Sequence, residues 1–272
     1  MPHRIAPVFL EKIWGSPDIE PWFAPRPGLT GEVWFQTDPP LSLLNKFIFT
    51  TDRLSVQVHP NDRQAHESGL ENGKTEMWHV LRAEPGATIA LGFRQEVTLD
   101  QARASALSGK IVDLLDWIPV RAGDTFFVNA GTVHAIGAGI ALWEVQQNSD
   151  TTYRLYDYGR DRELHLEDGF AVSQLGRWQP QPDPQAIDNV WSRLVTADYF
   201  VTDLGRLKDP CRVDPSGAYR LLVVLEGDGL ISGQPYKTGE CWLVDATEPA
   251  IILEPSAPTR ILRTGPPSPL LS

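Results

Sequence analysis

Residues 122–139 read AGDTFFVNAGTVHAIGAG. Short apolar and β-branched runs alternate here with glycines at 123, 131, 137 and 139, the punctuation of brief strands joined by tight turns rather than of a helix. The one histidine in the stretch, His134, is bracketed by those glycines. Outward from this segment the same pattern holds. The chain carries 22 glycines and 23 prolines, set between runs rich in Val, Ile, Leu, Phe and Trp, which predicts an all-β fold of many short strands closing into a barrel.

The 272 residues are enough for one large domain or two modest ones, each with its own core. Hydrophobic residues at 42% and charged residues at 22% are ordinary for a soluble globular protein, and no long apolar run or signal-like start is present; a cytoplasmic location is expected. A net charge of -11 disfavours nucleic acid and anionic membrane surfaces as partners. A small anionic substrate remains compatible, provided a few Lys and Arg converge on one pocket. Cys211 and Cys241 stand alone in no C-x-x-C spacing, so neither a disulfide framework nor a thiolate metal site is indicated.

Three segments break the strand pattern. Thr98 to Trp117 has helical spacing at Leu99, Ala102 and Ala106 and again at Ile111, Leu114 and Leu115, with Thr98 and Gln101 placed as a capping box, which predicts one or two inserted helices. EKIWGSPDIEPWFAPRPG, residues 11–28, is too rich in Pro and Gly for a long element and is expected to wrap the barrel as loop and short strands. Residues 177–189, RWQPQPDPQAIDN, have the composition of a linker. We therefore expect a metal-binding domain over residues 1–176, with its helical insertion near 98–117, and a second β domain over residues 190–272. YRLLVVLEGDGLISG and TGECWLVDA in that second part loosely echo the first, without its histidine.

LSVQVHPND places Gln57 and His59 two residues apart, so a strand would turn both to one face. Glu76, in GKTEMWHV, opens another strand, and His134 belongs to the segment quoted first. Three strands could thus converge on one ion. Two imidazoles favour a first-row transition metal, the Gln57 amide oxygen and one carboxylate are harder donors, and zinc is the expected metal. With one anionic ligand among four, the ion would keep net positive charge and open positions, unlike a thiolate-closed structural site. Each residue taken alone is more simply a core or surface residue; it is their combination that points to a site.

The glycine–histidine segment resembles the second conserved motif of cupin barrels. SVQVHPND, GKTEMW, AGTVHAIG and QQNSDTTYRLYDYGR, with EKIWG and GEVWF before them, resemble in that order the segments of the type I mannose-6-phosphate isomerase family, in particular its short bacterial form. The resemblance spans most of Glu11 to Arg160. It implies a cupin-type jelly-roll barrel with one zinc ion on Gln57, His59, Glu76 and His134, followed by a degenerate, metal-free cupin-like barrel. It further implies substrate-site roles for Ser55, Lys74, Asp150 and Arg154, and an active-site acid at Glu144. Asn129 departs from the family, which usually carries proline there.

On that reading the chain interconverts mannose 6-phosphate and fructose 6-phosphate through an enediol. Lys74 and Glu144 are the candidates for moving protons, with the choice of base between them open. Arg154 is the candidate for the phosphate or an oxyanion, with Ser55 adding a hydroxyl; the plainer alternative pairs Arg154 with Asp150 or Asp157. Trp14, and less directly Tyr153, Tyr156 and Tyr158, are candidates for the floor of the sugar site. The expected partner is a small-molecule sugar phosphate, with the chain a monomer or weak homodimer. Two other readings fit a metal cupin, an iron-dependent oxygenase and a non-catalytic sugar-phosphate-binding module. Gln57 at the first ligand position argues against the oxygenase, and the presence of Lys74, Glu144 and Arg154 together argues against the module.

Overall fold

The computed structural model describes residues 1–215 and 217–267. Strands dominate, and every pairing between them is antiparallel. In the first half a six-stranded sheet runs in the order Pro7–Ser16, Thr30–Phe35, Leu43–Thr50, Ile140–Gln147, Glu76–Ala83, Thr125–Val128. Facing it is a five-stranded sheet in the order Tyr153–Tyr156, Val56–Val58, His134–Ile136, Thr88–Phe93, Leu115–Pro119. The crossed strand order is that of the expected jelly roll.

Leu43–Thr50 and Ile140–Gln147 are buried along their whole length. Strand alternation explains how both faces are used. Phe47, Phe49, Ala141, Trp143 and Val145 point to one side, into a cluster that also contains Leu194, Phe200, Leu204, Leu221, Val223 and Leu262 of the second half. Ile48 and Leu142 point to the other side, into the first barrel's interior with Trp14, Trp78 and Val80. The shared cluster holds the two halves against each other through a layer in which aromatic rings are set among aliphatic side chains, including the Phe47–Trp143 edge contact at 4.8 Å between centroids.

The second half repeats the two-sheet plan. Its larger sheet runs His3–Ile5, Cys241–Val244, Arg220–Glu226, Thr259–Gly265, Val201–Leu207, Trp191–Thr196, Gln185–Ala186; its smaller one runs Cys211–Val213, Ile251–Pro255, Asp228–Ile231, Gln234–Lys237. The N-terminal strand His3–Ile5 belongs to this second half, pairing with Cys241–Val244.

The predicted insertion forms two helices, Leu99–Ser108 and Ile111–Leu114. Thr98 accepts from the Gln101 amide at 3.2 Å while Gln101 accepts from Thr98 at 2.9 Å, and Gly109 closes the first helix in the left-handed conformation. The expectation for EKIWGSPDIEPWFAPRPG needs correction: its first six residues complete a ten-residue strand, Pro7–Ser16, paired with Thr30–Phe35. The strand absorbs its glycine by irregular pairing, with register shifts after Leu10 and Glu11. Gly15 is required by close approach, since a Cβ there would lie 2.6 Å from the Gly31 nitrogen.

His79 lies on the face of its strand that looks toward the second half, fully buried, its Nδ1 2.9 Å from the Thr125 hydroxyl. Burial, with smaller contributions from Arg260 and Arg206, pushes its pKa down to about 3. The unfolded chain takes up this proton near pH 6.5 and the folded one does not, so this residue's contribution to stability is lost as pH falls from about 6.5 toward 3. We expect a loss of about 1.4 kcal/mol per pH unit in that window. Urea denaturation of wild type and His79→Gln between pH 7 and 5 checks it: the variant's stability should depend on pH by about one proton less, and parallel curves would contradict the assignment.

Candidate metal centre

The candidate ligands come from three strand ends that the five- and six-stranded sheets bring together. Gln57 sits directly opposite His134 in the ladder, and Arg154 lies opposite Gln57 on its other side. His59 follows the Gln57 strand, and Glu76 opens the strand Glu76–Ala83. The ligand atoms of His59, Glu76 and His134 lie within 4.8 Å of one another, and all three residues are buried.

Each histidine is fixed by a backbone carbonyl on its far side: His59 Nδ1 is 2.8 Å from the Thr151 oxygen and His134 Nδ1 is 2.8 Å from the Thr132 oxygen. With Nδ1 donating to those oxygens, both Nε2 lone pairs face Glu76, at 3.6 Å from His59 and 3.5 Å from His134. Burial pushes the His134 pKa down to about 3 and that of His59 well below its ordinary value, so both rings are neutral, the form that binds metal.

Burial, reinforced by the charge of Glu144, pushes Glu76 up to about 8 against the pull of Lys74 and Lys46. Neither Glu76 oxygen has a hydrogen-bond partner among the described residues. A buried carboxyl without donors, facing two oriented imidazoles, fits a divalent cation. The Gln57 amide is 3.2 Å from His134 Nε2, and turning it about its last torsion exchanges its nitrogen for the oxygen donor a cation requires. These residues could hold a metal ion.

A cavity of about 240 Å³ adjoins the group. Trp14, Ser55, Gln57, Lys74, Glu144, Asp150 and Arg154 all line it, so the substrate-side candidates from the sequence, the three tyrosines apart, border one space. Lys74 Nζ is 3.2 Å from His59 Nε2 and 3.6 Å from Glu76 Oε2. Ser55 donates to Gln57 Oε1 at 3.2 Å. Arg154 donates to the Glu163 carbonyl at 2.8 Å; it is Arg162 that clamps Asp157, with two bonds of 2.6 Å.

Tyr153, Tyr156 and Tyr158 do not line the cavity. They pack instead with the cluster under the helices. Arg154 faces the cavity, so its strand neighbour Tyr153 faces away, and a register shift between Arg154 and Tyr156 removes the simple alternation beyond it.

The sequence reading missed Lys46. Its Nζ is 2.9 Å from Glu144 Oε1, while Trp78 donates to Glu144 Oε2 at 2.9 Å. Burial works against the Lys46 ammonium, but Glu144 and Glu32 outweigh it and hold the lysine protonated. Lys12, Glu32, Trp34 and Arg162 complete the polar wall. The available signal for Lys46 was a single charge within the apolar run LLNKFIF.

Removing one member of this buried pair leaves the other uncompensated. Lys46→Met should cost about 3 kcal/mol of stability, and adding Glu144→Gln, which still accepts from Trp78, should recover part of it. A double variant no more stable than the single one in urea denaturation would rule out a strong pair.

No protein-family model matches the chain. It is 37% identical over 204 residues to the mannose-6-phosphate isomerase of Streptococcus mutans, covering 70% of this chain and 62% of that protein. It is 38% identical over 217 residues to a mannose-6-phosphate isomerase of Bacillus subtilis, covering 74% of this chain and 68% of that one. The fold is similar to the crystal structure of the mannose 6-phosphate isomerase from Bacillus subtilis, with a TM-score of 0.88 at 25% identity, over 97% of this chain and 99% of the other.

Proposed function

The chain belongs to the mannose-6-phosphate isomerase family, and from that premise we propose that it interconverts mannose 6-phosphate and fructose 6-phosphate using one zinc ion held by Gln57, His59, Glu76 and His134. The observation that carries this reading is the pair of carbonyl-oriented imidazoles facing a donorless buried carboxyl, at the edge of a cavity lined by lysine, arginine and glutamate. When bound, zinc supplies a Lewis acid that withdraws charge from the sugar oxygens.

The chain's own residues supply the rest. Conversion of an aldose to a ketose removes the proton on C2, returns one to C1, and moves a hydroxyl proton between the two oxygens, so it needs proton carriers that reach neighbouring atoms. Lys74 and Glu144 border the same cavity and are these carriers. Lys46 orients Glu144 and balances its charge in a site with little water to do so. Arg154 and Arg162 give the cavity the cationic wall that the phosphate needs in an otherwise acidic protein, with Ser55 and Asp150 placed for sugar hydroxyls and Trp14 as an apolar surface.

This reading carries with it a cytoplasmic enzyme acting on a free sugar phosphate as a monomer or weak homodimer. Among the described residues no helix is long and apolar enough to cross a membrane.

A coupled assay in both directions, with metal content measured on the same samples, tests the proposal. His134→Ala should lose the metal and at least about 100-fold of the activity. Arg154→Ala should keep the metal while losing turnover or raising KM. Zinc-loaded protein that turns over neither sugar phosphate would defeat the functional reading; equal metal loss in both variants would defeat the division of roles.

A further inference from the structure

The second half has a polar cavity of its own, of about 340 Å³, at one end of its barrel. Arg193, Asp203, Arg220 and Arg263 line it, with Trp191, Val190 and Val201 as apolar wall. Alternation places these charges inside the barrel. Leu222, two residues after Arg220, and Ile261, two before Arg263, belong to its interior cluster, as do Trp191 and Leu207.

The position of the charges relates this cavity to the first. Across the large sheet of the first barrel one cross-strand row reads Trp34, Lys46, Glu144, Trp78. The corresponding row of the second barrel reads Arg193, Asp203, Arg263, Leu222. Glu76 stands two residues before Trp78, and Arg220 stands two residues before Leu222. The place taken by the metal-facing carboxylate in one barrel is thus taken by a guanidinium in the other, and the lysine–glutamate pair becomes aspartate–arginine.

Three guanidinium groups against one interior carboxylate leave net positive charge in a protein whose overall charge is -11. Asp203, 5% exposed, bonds Arg193 and takes 3.1 and 2.7 Å bonds from Arg263. Arg263 is also fixed over Trp191, 4.2 Å from the ring centroid. Arg220 donates only from Nη1 to the carbonyls of Tyr219 and Pro266, at 3.0 Å each, and carries no carboxylate bond among the described residues. The remaining charges, Asp188 and the Arg212–Asp214 pair, lie at the rim.

We propose that this cavity is a second ligand site, binding a phosphate dianion, either free or as a small phosphate monoester, through Arg193, Arg220 and Arg263. Planar forks held by packing and by Asp203 are preorganised for tetrahedral oxyanions. The inversion of charge relative to the first barrel makes the second a receptor for anions where the first suits a cation.

Calorimetric titration of the full-length protein with inorganic phosphate tests this, comparing wild type with Arg220→Gln. The wild type should take up one phosphate more per chain than the variant, while kcat and KM of the isomerase stay within about twofold; the same stoichiometry in both overturns the proposal. A parallel titration with glucose 6-phosphate distinguishes the sources. Displacement of the second phosphate supports a monoester ligand, and its retention supports free phosphate. If the variant's melting curve shows that it has not folded, a wild-type crystal soaked in tungstate decides: an anomalous peak among the three arginines supports the site, and its absence refutes it.

Discussion

The strands Leu43–Thr50 and Ile140–Gln147 leave no side chain of either face to bulk water. Everything else in the molecule is arranged around that constraint. Because side chains alternate with period two, one register satisfies both the aromatic layer shared with the second half and the interior of the first barrel. A slip by a single residue would bury Lys46 and Glu144 in the aromatic layer and turn Phe47 and Trp143 into the cavity. The packing of the two halves and the polarity of the site are therefore one choice, made once by these paired strands.

The same economy appears in the electrostatics. Lys46 and Glu144 stabilise each other in a place where neither alone would remain charged at low cost. Glu76 sits near them with a carboxyl that burial disfavours as an anion and that a cation would restore. The site holds its charges by mutual neutralisation rather than by solvation, which keeps the polar groups strong toward whatever enters. The second barrel follows the same plan around Asp203, with the signs exchanged along the equivalent row.

Local features were the ones legible in the sequence. The glycines around His134 and the Thr98–Gln101 cap each report on a few neighbouring residues, and the structure forms both as read, whereas the strand that carries Gln57 ends at Val58 and His59 lies just beyond it. Lys46 was not legible because its meaning depends on Glu144, a cross-strand partner far along the chain. The long strand Pro7–Ser16 was hidden by Gly15, whose reason for being glycine is the backbone of Gly31 across the ladder. The tyrosines beyond Arg154 misled because a register shift has no local signature. Families of motifs supplied the candidate ligand set; the environment that gives each candidate its protonation state came only from the packed interior.

The strand His3–Ile5 has a further consequence, one of timing. It leaves the ribosome well before the partner it needs, since Cys241–Val244 is made about 240 residues later. At the usual ~5–20 residues per second of synthesis, this edge strand stays unpaired for roughly 12–50 s, while the first barrel can already close around its own strands. The nascent chain thus passes through an interval with a ready first barrel and one strand still unpaired, a segment exposed to proteases and chaperones until the second sheet arrives to bind it.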